Sequence, residues 1–272
     1  MDIHFGRKDR KNIVKVVILA GGFGTRISEE SHMKPKPMIE IGEAPILWHI
    51  MKYYSCYGFN EFIICCGYKG YVIKEYFADY YLHRSDITFD FSLENKMIVH
   101  NNIAEPWKVT VVDTGEKAQT GARIHRIHRY VGDEPFMLTY GDGVCNVDLD
   151  RLLSFHRQHR RVVTMTAIQP GGRFGVLDFD SDGAGIERFQ EKPKEDGSWI
   201  NAGYMVAEPE IFRYLRDDDS LVFEREVLNN LAADNGLAAY KHTGFWQCMD
   251  TMRDKSMLEE MWERGNAPWK IW

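Results

Sequence analysis

The chain has 272 residues, of which 44% are hydrophobic and 27% are charged, and its formal net charge is -6 at pH 7. This length and composition predict a globular protein with a large buried core. A negative chain has no general attraction for nucleic acid or for an anionic membrane, so a polyanionic ligand would need a local basic pocket. The composition fits a small phosphorylated ligand and argues against nucleic-acid and membrane partners.

The cysteines and the first residues give further limits. The chain has five cysteines, an odd number, and none lies at C-x-x-C spacing, which argues against a disulfide framework or a zinc cluster. No apolar run approaches the roughly 18 residues of a membrane span, and residues 1–12 are polar and charged, without the core of a signal peptide. We therefore predict a cytoplasmic protein with an N-terminal extension over 1–12 and one domain over 13–272.

The first structured stretch predicts a phosphate site. Val16 to Leu19 is a continuous apolar run, as in a strand buried on both faces, and it stops at Gly21, Gly22 and Gly24. Because glycine has no Cβ, such a loop can lie close against a ligand and direct successive N–H groups at phosphate oxygens. A glycine-rich turn after a strand is also common in α/β proteins, so an ordinary turn without a phosphate site stays open as the alternative.

Two cations follow the glycines. Arg26 could clamp a phosphate with two hydrogen bonds, and Lys36 lies between Pro35 and Pro37 on stiff backbone. The stretch has neither the Gly-Lys-Ser/Thr of a P-loop nor a Gly-x-Gly-x-x-Gly pattern, which makes a dehydrogenase improbable.

The next elements alternate between helix and strand. Apolar residues recur at helical spacing over 46–54, and the helix is expected to end at Gly58. A second buried strand is predicted over 61–66 and a helix over 69–82. Residues 83–100 alternate less clearly and are expected to form a hairpin at the edge of the sheet. Together these elements predict a largely parallel sheet.

A third strand, loop and helix follow. The strand is predicted over 109–112, and the helix carries an apolar face over 124–131. His125 and His128 lie three residues apart on this helix and could suggest a metal pair. Only two ligands are present, however, and the flanking arginines would repel a cation, so we expect no metal there.

An acidic residue marks the end of the next strand. Phe136 to Tyr140 is apolar and stops at Gly141-Asp142-Gly143, which places Asp142 where open α/β sheets bind their ligands. A carboxylate at this place can hold a magnesium ion through oxygen ligation. The alternative is an ordinary turn Asp between glycines.

The last hundred residues are more varied. A helix over 150–160 and a strand over 162–168 precede a change to glycine, aspartate and alternating patterns, which predicts short strands in a smaller β-rich portion over roughly 170–245. Helices are expected over 223–234 and 251–264.

Several motifs together resemble the sugar-nucleotide pyrophosphorylases. The segments 22–26 and 34–37 resemble the opening of that family, which binds the triphosphate of a nucleoside triphosphate. Gly141-Asp142-Gly, Glu191-Lys192-Pro and the segment 245–250, which ends in Asp250, match further family motifs in the expected order. The resemblance covers residues 13 to 255. The chain departs from many relatives at Gly143, where they have Asn after the Asp.

The resemblance implies a Rossmann-like nucleotidyltransferase fold with a central mixed, mostly parallel sheet and a smaller sugar-binding β-rich portion. It also implies Mg²⁺ as cofactor and assembly as a homo-oligomer. It assigns Arg26, Lys36 and Lys192 to catalysis, Leu19, Ala20, Gly21, Gly22, Gly24, Thr25, Thr114, Gly115, Gly121, Gly175, Glu191 and Asn201 to the nucleotide and sugar phosphate, and Asp142 and Asp250 to the metal.

Longer matches point to one branch of the family. The segments 34–42, 63–77, 105–107 and 267–270 resemble the branch that transfers a cytidylyl group from CTP to glucose 1-phosphate, giving CDP-glucose and pyrophosphate. The nucleophile of that reaction is already ionised, so catalysis needs alignment and charge neutralisation rather than a general base. One alternative is a nucleotidyltransferase that uses UTP, dTTP or another sugar 1-phosphate. Another is a non-catalytic regulatory protein that binds sugar nucleotides.

Overall fold

The computed structural model of the protein describes residues 14–24, 27, 34–92, 96–169, 176–179, 186–190 and 199–272. The strands are β1 (Lys15–Ala20), β2 (Glu40–Ile41), β3 (Ala44–Pro45), β4 (Glu61–Cys66), β5 (Asp86–Asp90), β6 (Lys96–His100), β7 (Lys108–Asp113), β8 (Phe136–Tyr140), β9 (Gly143–Cys145), β10 (Val163–Ile168), β11 (Val176–Phe179), β12 (Ile186–Gln190), β13 (Ile200–Asn201), β14 (Met205–Ala207), β15 (Leu237–His242) and β16 (Trp246–Cys248).

The helices are α1 (Ile46–Cys56), α2 (Gly70–Ala78), α3 (Tyr80–His83), α4 (Thr120–Arg126), α5 (His128–Val131), α6 (Leu149–His159), α7 (Leu228–Ala233) and α8 (Met252–Glu263). Short 3-10 helices span Lys36–Met38 and Pro209–Tyr214, and a π-helical turn spans Phe223–Val227. Within the described ranges, no helix has the length and apolar character that crossing a membrane requires.

The central sheet has the strand order β13-β10-β14-β8-β1-β4-β7, and β15 joins it beside β10. Strands β8, β1, β4 and β7 are parallel to one another, whereas β14 is antiparallel to both β8 and β10. The sheet is mixed and mostly parallel, which confirms the sheet expected from the sequence. Strands β13, β14 and β15, from the region predicted as the smaller portion, belong to this sheet, while β11 and β12 pair with each other.

The middle of the sheet explains the apolar runs. Val17 of β1 pairs with Ile63 of β4 on one side and Leu138 of β8 on the other, and all three are at most 1% exposed. Because both faces of such a strand are buried, its sequence is continuously apolar and does not alternate between apolar and polar residues. Because the chain continues to one side of β1 and later adds β8 on the other, a crevice opens at the carboxyl end of β1, where such sheets bind ligands.

Most predicted elements are confirmed, with three differences. Helix α1 ends before Gly58, whose φ of 87° suits glycine, and β5 and β6 form a separate hairpin. The helix predicted over 69–82 is interrupted at Asp79, so α2 and α3 are distinct. The single helix predicted around 124–131 is divided at Ile127 into α4 and α5. The helix predicted over 223–234 begins as a π-helical turn before it becomes α7.

A group of tryptophans holds the end of the chain around His49. Trp269 is fully buried and stacks on Phe245, and Trp262 meets the His49 ring edge-on at 4.6 Å between centroids. The His49 Nε2 atom lies 2.8 Å from the carbonyl oxygen of Ile41, while Nδ1 accepts a hydrogen bond from the Trp269 indole at 3.4 Å. Since an indole nitrogen only donates, this arrangement requires the neutral imidazole.

Burial lowers the pKa of His49 to about 4, below its ordinary value of 6.5. The unfolded chain therefore binds a proton at higher pH than the folded one, and this contribution to stability is lost as the pH falls from 6.5 toward 4. We expect the free energy of unfolding to fall by about 2 kcal/mol from this group between pH 7 and pH 5.

Urea unfolding of the wild type and His49→Gln at both pH values measures this effect. Other groups titrate equally in both proteins, so the variant should lose less stability than the wild type over this interval. The same loss in both proteins would contradict the prediction.

Candidate active site

A cavity of about 340 Å³ opens at the carboxyl ends of β1 and β8. It is lined by Leu19, Ala20, Gly21, Gly22, Phe23, Gly24, Lys36, Pro37, Lys117, Ala118, Gln119, Thr120, Arg123, Tyr140, Gly141, Asp142 and Asp250. It thus brings together the residues from the first loop that were assigned to the nucleotide and fall within the described ranges, the predicted catalytic lysine and both predicted metal carboxylates.

Glycine is required at two positions after β1, for a different structural reason at each. A Cβ atom at Gly21 would overlap the guanidinium of Arg123, so no larger residue fits there. Gly24 has a φ of 66°, in the left-handed region that glycine adopts without strain, and its carbonyl accepts a hydrogen bond from the Ile27 N–H at 3.1 Å. Gly21 is therefore needed for close packing against Arg123, and Gly24 for the turn of the loop.

Arg123 ties the loops around the cavity to one another. It is 4% exposed, and its guanidinium donates to the carbonyl oxygens of Gly21 at 3.0 Å, Cys66 at 2.9 Å and Gly115 at 2.8 Å. These carbonyls follow or end β1, β4 and β7. Burial lowers the pKa of Arg123, although arginine stays charged. In the sequence it is one of several arginines on the same helical stretch, and no pattern there marks it as the buried one.

Thr114 and Gly115 serve this internal network. The Thr114 side chain is fully buried, donates to the Cys66 carbonyl at 2.6 Å and accepts from Arg123 at 2.8 Å. Gly115 has a φ of 95°, and its carbonyl is held by Arg123. Neither residue lines the cavity, so a direct contact of the Thr114 hydroxyl with a nucleotide would require this network to open.

Gly121 also lies behind the cavity wall. A Cβ atom there would lie 2.6 Å from Cγ of Leu221, so glycine is needed for the close approach of the two segments. The residues just before it, 117–120, form the wall. The segment 114–121, in which the resemblance assigns Thr114, Gly115 and Gly121 to the nucleotide, therefore reaches the cavity through its residues 117–120.

A lysine and two carboxylates converge at the other end of the cavity. Lys36 Nζ lies 2.6 Å from Oδ2 of Asp142 and 2.5 Å from Oδ1 of Asp250, and its side chain is 12% exposed. Burial alone would lower the pKa of Lys36, but the two carboxylates outweigh this effect and raise it. The lysine is therefore a fixed cation at neutral pH.

Backbone pairing holds the two carboxylates side by side. Strand β9, directly after Asp142, pairs with β16, which lies two residues before Asp250, and the Met249 N–H donates to the Asp142 carbonyl at 2.8 Å. The Asp250 N–H donates to Asp254 at 3.1 Å, and Asp254 also forms a capping box with Thr251 at the start of α8. Residues more than a hundred positions apart thus share one rigid corner.

The donor set fits a magnesium ion. Mg²⁺ prefers carboxylate oxygens and commonly uses one or two of them together with water and substrate phosphates. Asp142 and Asp250 supply such oxygens on one side of the cavity. In the described ranges no three histidine, cysteine or acidic side chains form a metal-binding group, and His128 instead stacks on Phe212 with 3.9 Å between ring centroids.

The remaining predicted residues are placed as follows. The Asn201 Nδ2 atom donates to the Tyr140 hydroxyl at 3.3 Å, and Tyr140 lines the cavity. Thr25, Arg26, Gly175, Glu191 and Lys192 lie outside the described residues. Tyr140 was not assigned from the sequence, although it directly precedes the Gly-Asp-Gly motif.

Comparisons with known proteins show which family the chain belongs to. The family model described as nucleotidyl transferase matches residues 15–261. The chain is 55% identical to the glucose-1-phosphate cytidylyltransferase of Salmonella typhi over 95% of this chain and 100% of the relative. It is 44% identical, with the same coverage, to the probable glucose-1-phosphate cytidylyltransferase of Bacillus subtilis (strain 168).

Solved structures show the same fold at low sequence identity. An apo UDP-glucose pyrophosphorylase superposes with a TM-score of 0.68 at 18% identity, covering 93% of this chain and 99% of that one. HddC from Yersinia pseudotuberculosis superposes with a TM-score of 0.65 at 23% identity, covering 92% and 99%. With a cavity built from a glycine loop, a lysine and two carboxylates, the chain belongs to the nucleotidyl transferase family, on the branch of the glucose-1-phosphate cytidylyltransferases.

Proposed function

We propose that the protein transfers the cytidylyl group of CTP to α-D-glucose 1-phosphate, giving CDP-glucose and pyrophosphate. The observation that carries the proposal is the convergence of Lys36, Asp142 and Asp250 beside the glycine loop. The choice of substrates is supported by the identity of 55% to a relative named glucose-1-phosphate cytidylyltransferase, along its full length.

The chemistry follows from the charges of the reactants. An oxygen of the sugar phosphate, already ionised, attacks the α-phosphorus of CTP, and the bond from that phosphorus to the oxygen bridging the β-phosphate breaks, so pyrophosphate leaves. No proton has to be removed from the nucleophile. The chain has to align two anions and neutralise the charge that builds up in the transition state.

The residues at the cavity suit these tasks. Lys36 would stabilise the triphosphate and the leaving pyrophosphate, together with Arg26, and Lys192 would hold the sugar phosphate. Asp142 and Asp250 would hold Mg²⁺, whose chemistry when bound is to neutralise and polarise the phosphate oxygens. Without ligand, the Lys36 ammonium pairs with both carboxylates, and the excess of one negative charge favours a cation at this corner.

Replacing Lys36 with Ala should lower kcat by about 10²-fold or more, the range for removal of one preorganised charge donor. Lys34→Ala is the matched control, because the Lys34 ammonium pairs with Glu40 at the surface, 2.5 Å away, and both side chains are more than 40% exposed. The measurement is steady-state turnover with CTP, glucose 1-phosphate and magnesium. Equal effects of the two substitutions would mean that the catalytic lysine is assigned wrongly.

A pyrophosphate-release assay over nucleoside triphosphates and sugar 1-phosphates tests the proposal as a whole. Release with CTP and glucose 1-phosphate above all other pairs supports it. Release with UTP, dTTP or another sugar would keep the transferase and change its substrates. Nucleotide binding without release for any pair would favour the non-catalytic regulatory protein.

Assembly and location belong to the same proposal. We infer a homo-oligomer, supported by the exposed apolar side chains of the β5–β6 hairpin, among them Phe89 and Met97, and by neighbouring Phe91. The mass in solution, against 31.6 kDa for one chain, tests this. The five cysteines are unpaired, as expected for a protein of the reducing cytoplasm.

A further inference from the structure

The carboxylate of Glu224 lies behind the cavity and joins two residues that line it. One oxygen accepts a hydrogen bond from the Tyr140 hydroxyl at 2.7 Å, and the other accepts one from the Thr120 hydroxyl at 2.6 Å. Both bonds are charge-assisted and so stronger than bonds between neutral groups. Glu224 itself is not among the residues that line the cavity. Any effect it has on a ligand therefore acts through these two neighbours.

The backbone under Glu224 is unusual. The residue belongs to the π-helical turn Phe223–Val227, a rare conformation that is frequently found at functional sites. Glu226, two residues further along the same turn, pairs with Arg216, and about half of each side chain is exposed. The turn thus carries one glutamate toward the cavity and another toward solvent.

Tyr140 extends the contact toward the residue expected to bind the sugar. Its hydroxyl donates to Glu224 and accepts from the Asn201 amide, and the Asn201 Oδ1 atom accepts from the Gly203 N–H at 2.9 Å. Burial, reinforced by the charge of Glu224, raises the pKa of Tyr140, so the phenol stays protonated and keeps donating. A continuous chain of hydrogen bonds runs from Glu224 through Tyr140 to Asn201.

Two sides of the cavity depend on Glu224 to different extents: the nucleotide side at Thr120, and the sugar side at Tyr140 and Asn201. On the nucleotide side, the start of α4 is also held by backbone bonds, from Gln119 N–H to Asp219 and from Gly121 N–H to Leu221, each at 2.9 Å. The Thr120 hydroxyl accepts a further bond from a backbone N–H. On the sugar side, the Tyr140 hydroxyl has one proton, and Glu224 is its acceptor. Loss of the carboxylate should therefore disturb the sugar side more.

We propose that Glu224 is a positioning residue for the sugar half of the site. Its carboxylate fixes the Tyr140 hydroxyl and, through it, the Asn201 amide in the orientation that receives the sugar phosphate. The proposal rests on the transferase function proposed above. It assigns to Glu224 a role in the KM for the sugar phosphate that does not require contact with the substrate.

Steady-state kinetics of Glu224→Ala and Glu224→Gln with CTP, glucose 1-phosphate and magnesium test the proposal. We expect the KM for glucose 1-phosphate to rise about tenfold or more, as for loss of a hydrogen bond to a charged group, while the KM for CTP changes less than about threefold. Gln has nearly the same shape but presents an amide, which cannot accept from both hydroxyls, so this variant tests the charge if the Ala variant folds poorly.

Two further variants sharpen the result. Tyr140→Phe should reproduce the selective rise in KM, and the double variant Glu224→Ala with Tyr140→Phe should be no worse than either single variant, since both remove the same interaction. Glu226→Gln is the matched control on the same turn and should leave both KM values unchanged.

Equal rises of both KM values in the Glu224 variants would show a merely structural role and overturn the proposal, as would an unchanged KM for glucose 1-phosphate or additive effects in the double variant. If the wild type itself releases no pyrophosphate, the proposed function fails instead. The two failures are therefore distinguishable.

Discussion

Asp142→Asn and Asp250→Asn are each expected to lower magnesium-dependent kcat by about 10³-fold or more. Asparagine has nearly the same size and can still accept a hydrogen bond from Lys36, but it lacks the charge that holds a divalent ion. A bound metal contributes several kcal/mol of charge stabilisation in the transition state, and about 1.4 kcal/mol corresponds to a factor of ten in rate.

The same substitutions should leave the protein folded. The Asp142 side chain is 31% exposed and that of Asp250 is 22% exposed, so neither fills the core. Thermal melting without ligands, together with turnover, separates charge from packing. A fall in melting temperature comparable to a core deletion, or turnover within tenfold of the wild type, would contradict the prediction.

Asp148→Ala provides the opposite control. Asp148 is the N-cap of α6 and accepts a hydrogen bond from the Arg151 N–H at 2.9 Å. Loss of such a cap costs about 1 kcal/mol of stability, and the residue does not line the cavity. This variant should therefore melt earlier while keeping its kcat.

The first half of the fold could be predicted because its helices and strands are long and are bounded by glycine-rich turns. The apolar run of β1 followed by three glycines, and the run of β8 followed by Gly141-Asp142-Gly, each mark a strand and its carboxyl end. Parallel strands bring these ends to one edge of the sheet. Hence the sequence alone predicts that Asp142 and the glycine loop lie at the same edge of the sheet.

The short elements of the second half could not be predicted in this way. Strands β13, β14 and β16 have two or three residues each, which is too few to show a period of two. The pairing of β16 with β9, which sets Asp250 beside Asp142, has no local signal. Only the family resemblance connected these two aspartates in the sequence.

Two polar residues that organise the cavity, one buried and one partly buried, escaped prediction for a related reason. Arg123 and Glu224 stand in stretches that carry other charged residues, and charge in a sequence usually indicates solvent. Their partners are backbone carbonyls for Arg123 and hydroxyls from two distant elements for Glu224. These contacts can be identified only in the folded structure, because no residue type in the sequence indicates them.

The choice of base should depend on the wall formed by residues 117–120. Cytosine presents an N4 amine that donates, where uracil presents an O4 oxygen that accepts, so a CTP-selective wall must place an acceptor there. Arg123 already engages the carbonyls of Gly115 and Glu116. The Gln119 carbonyl likewise accepts from the Arg123 N–H at 3.1 Å. We therefore expect the acceptor to be a carbonyl of Lys117 or Ala118 or the side-chain oxygen of Gln119, all of which line the cavity next to Thr120.

This arrangement predicts that CTP exceeds UTP and dTTP in kcat/KM by roughly 10⁴, because an unmatched base would leave buried polar groups without partners. The measurement compares the three nucleotides at fixed glucose 1-phosphate and magnesium. Deoxy-CTP is the control that keeps the base and changes only the ribose, and it should stay much closer to CTP than UTP does. If UTP or dTTP equals CTP, the wall does not read the N4 amine, and the cytidylyl assignment fails while nucleotidyl transfer itself stands.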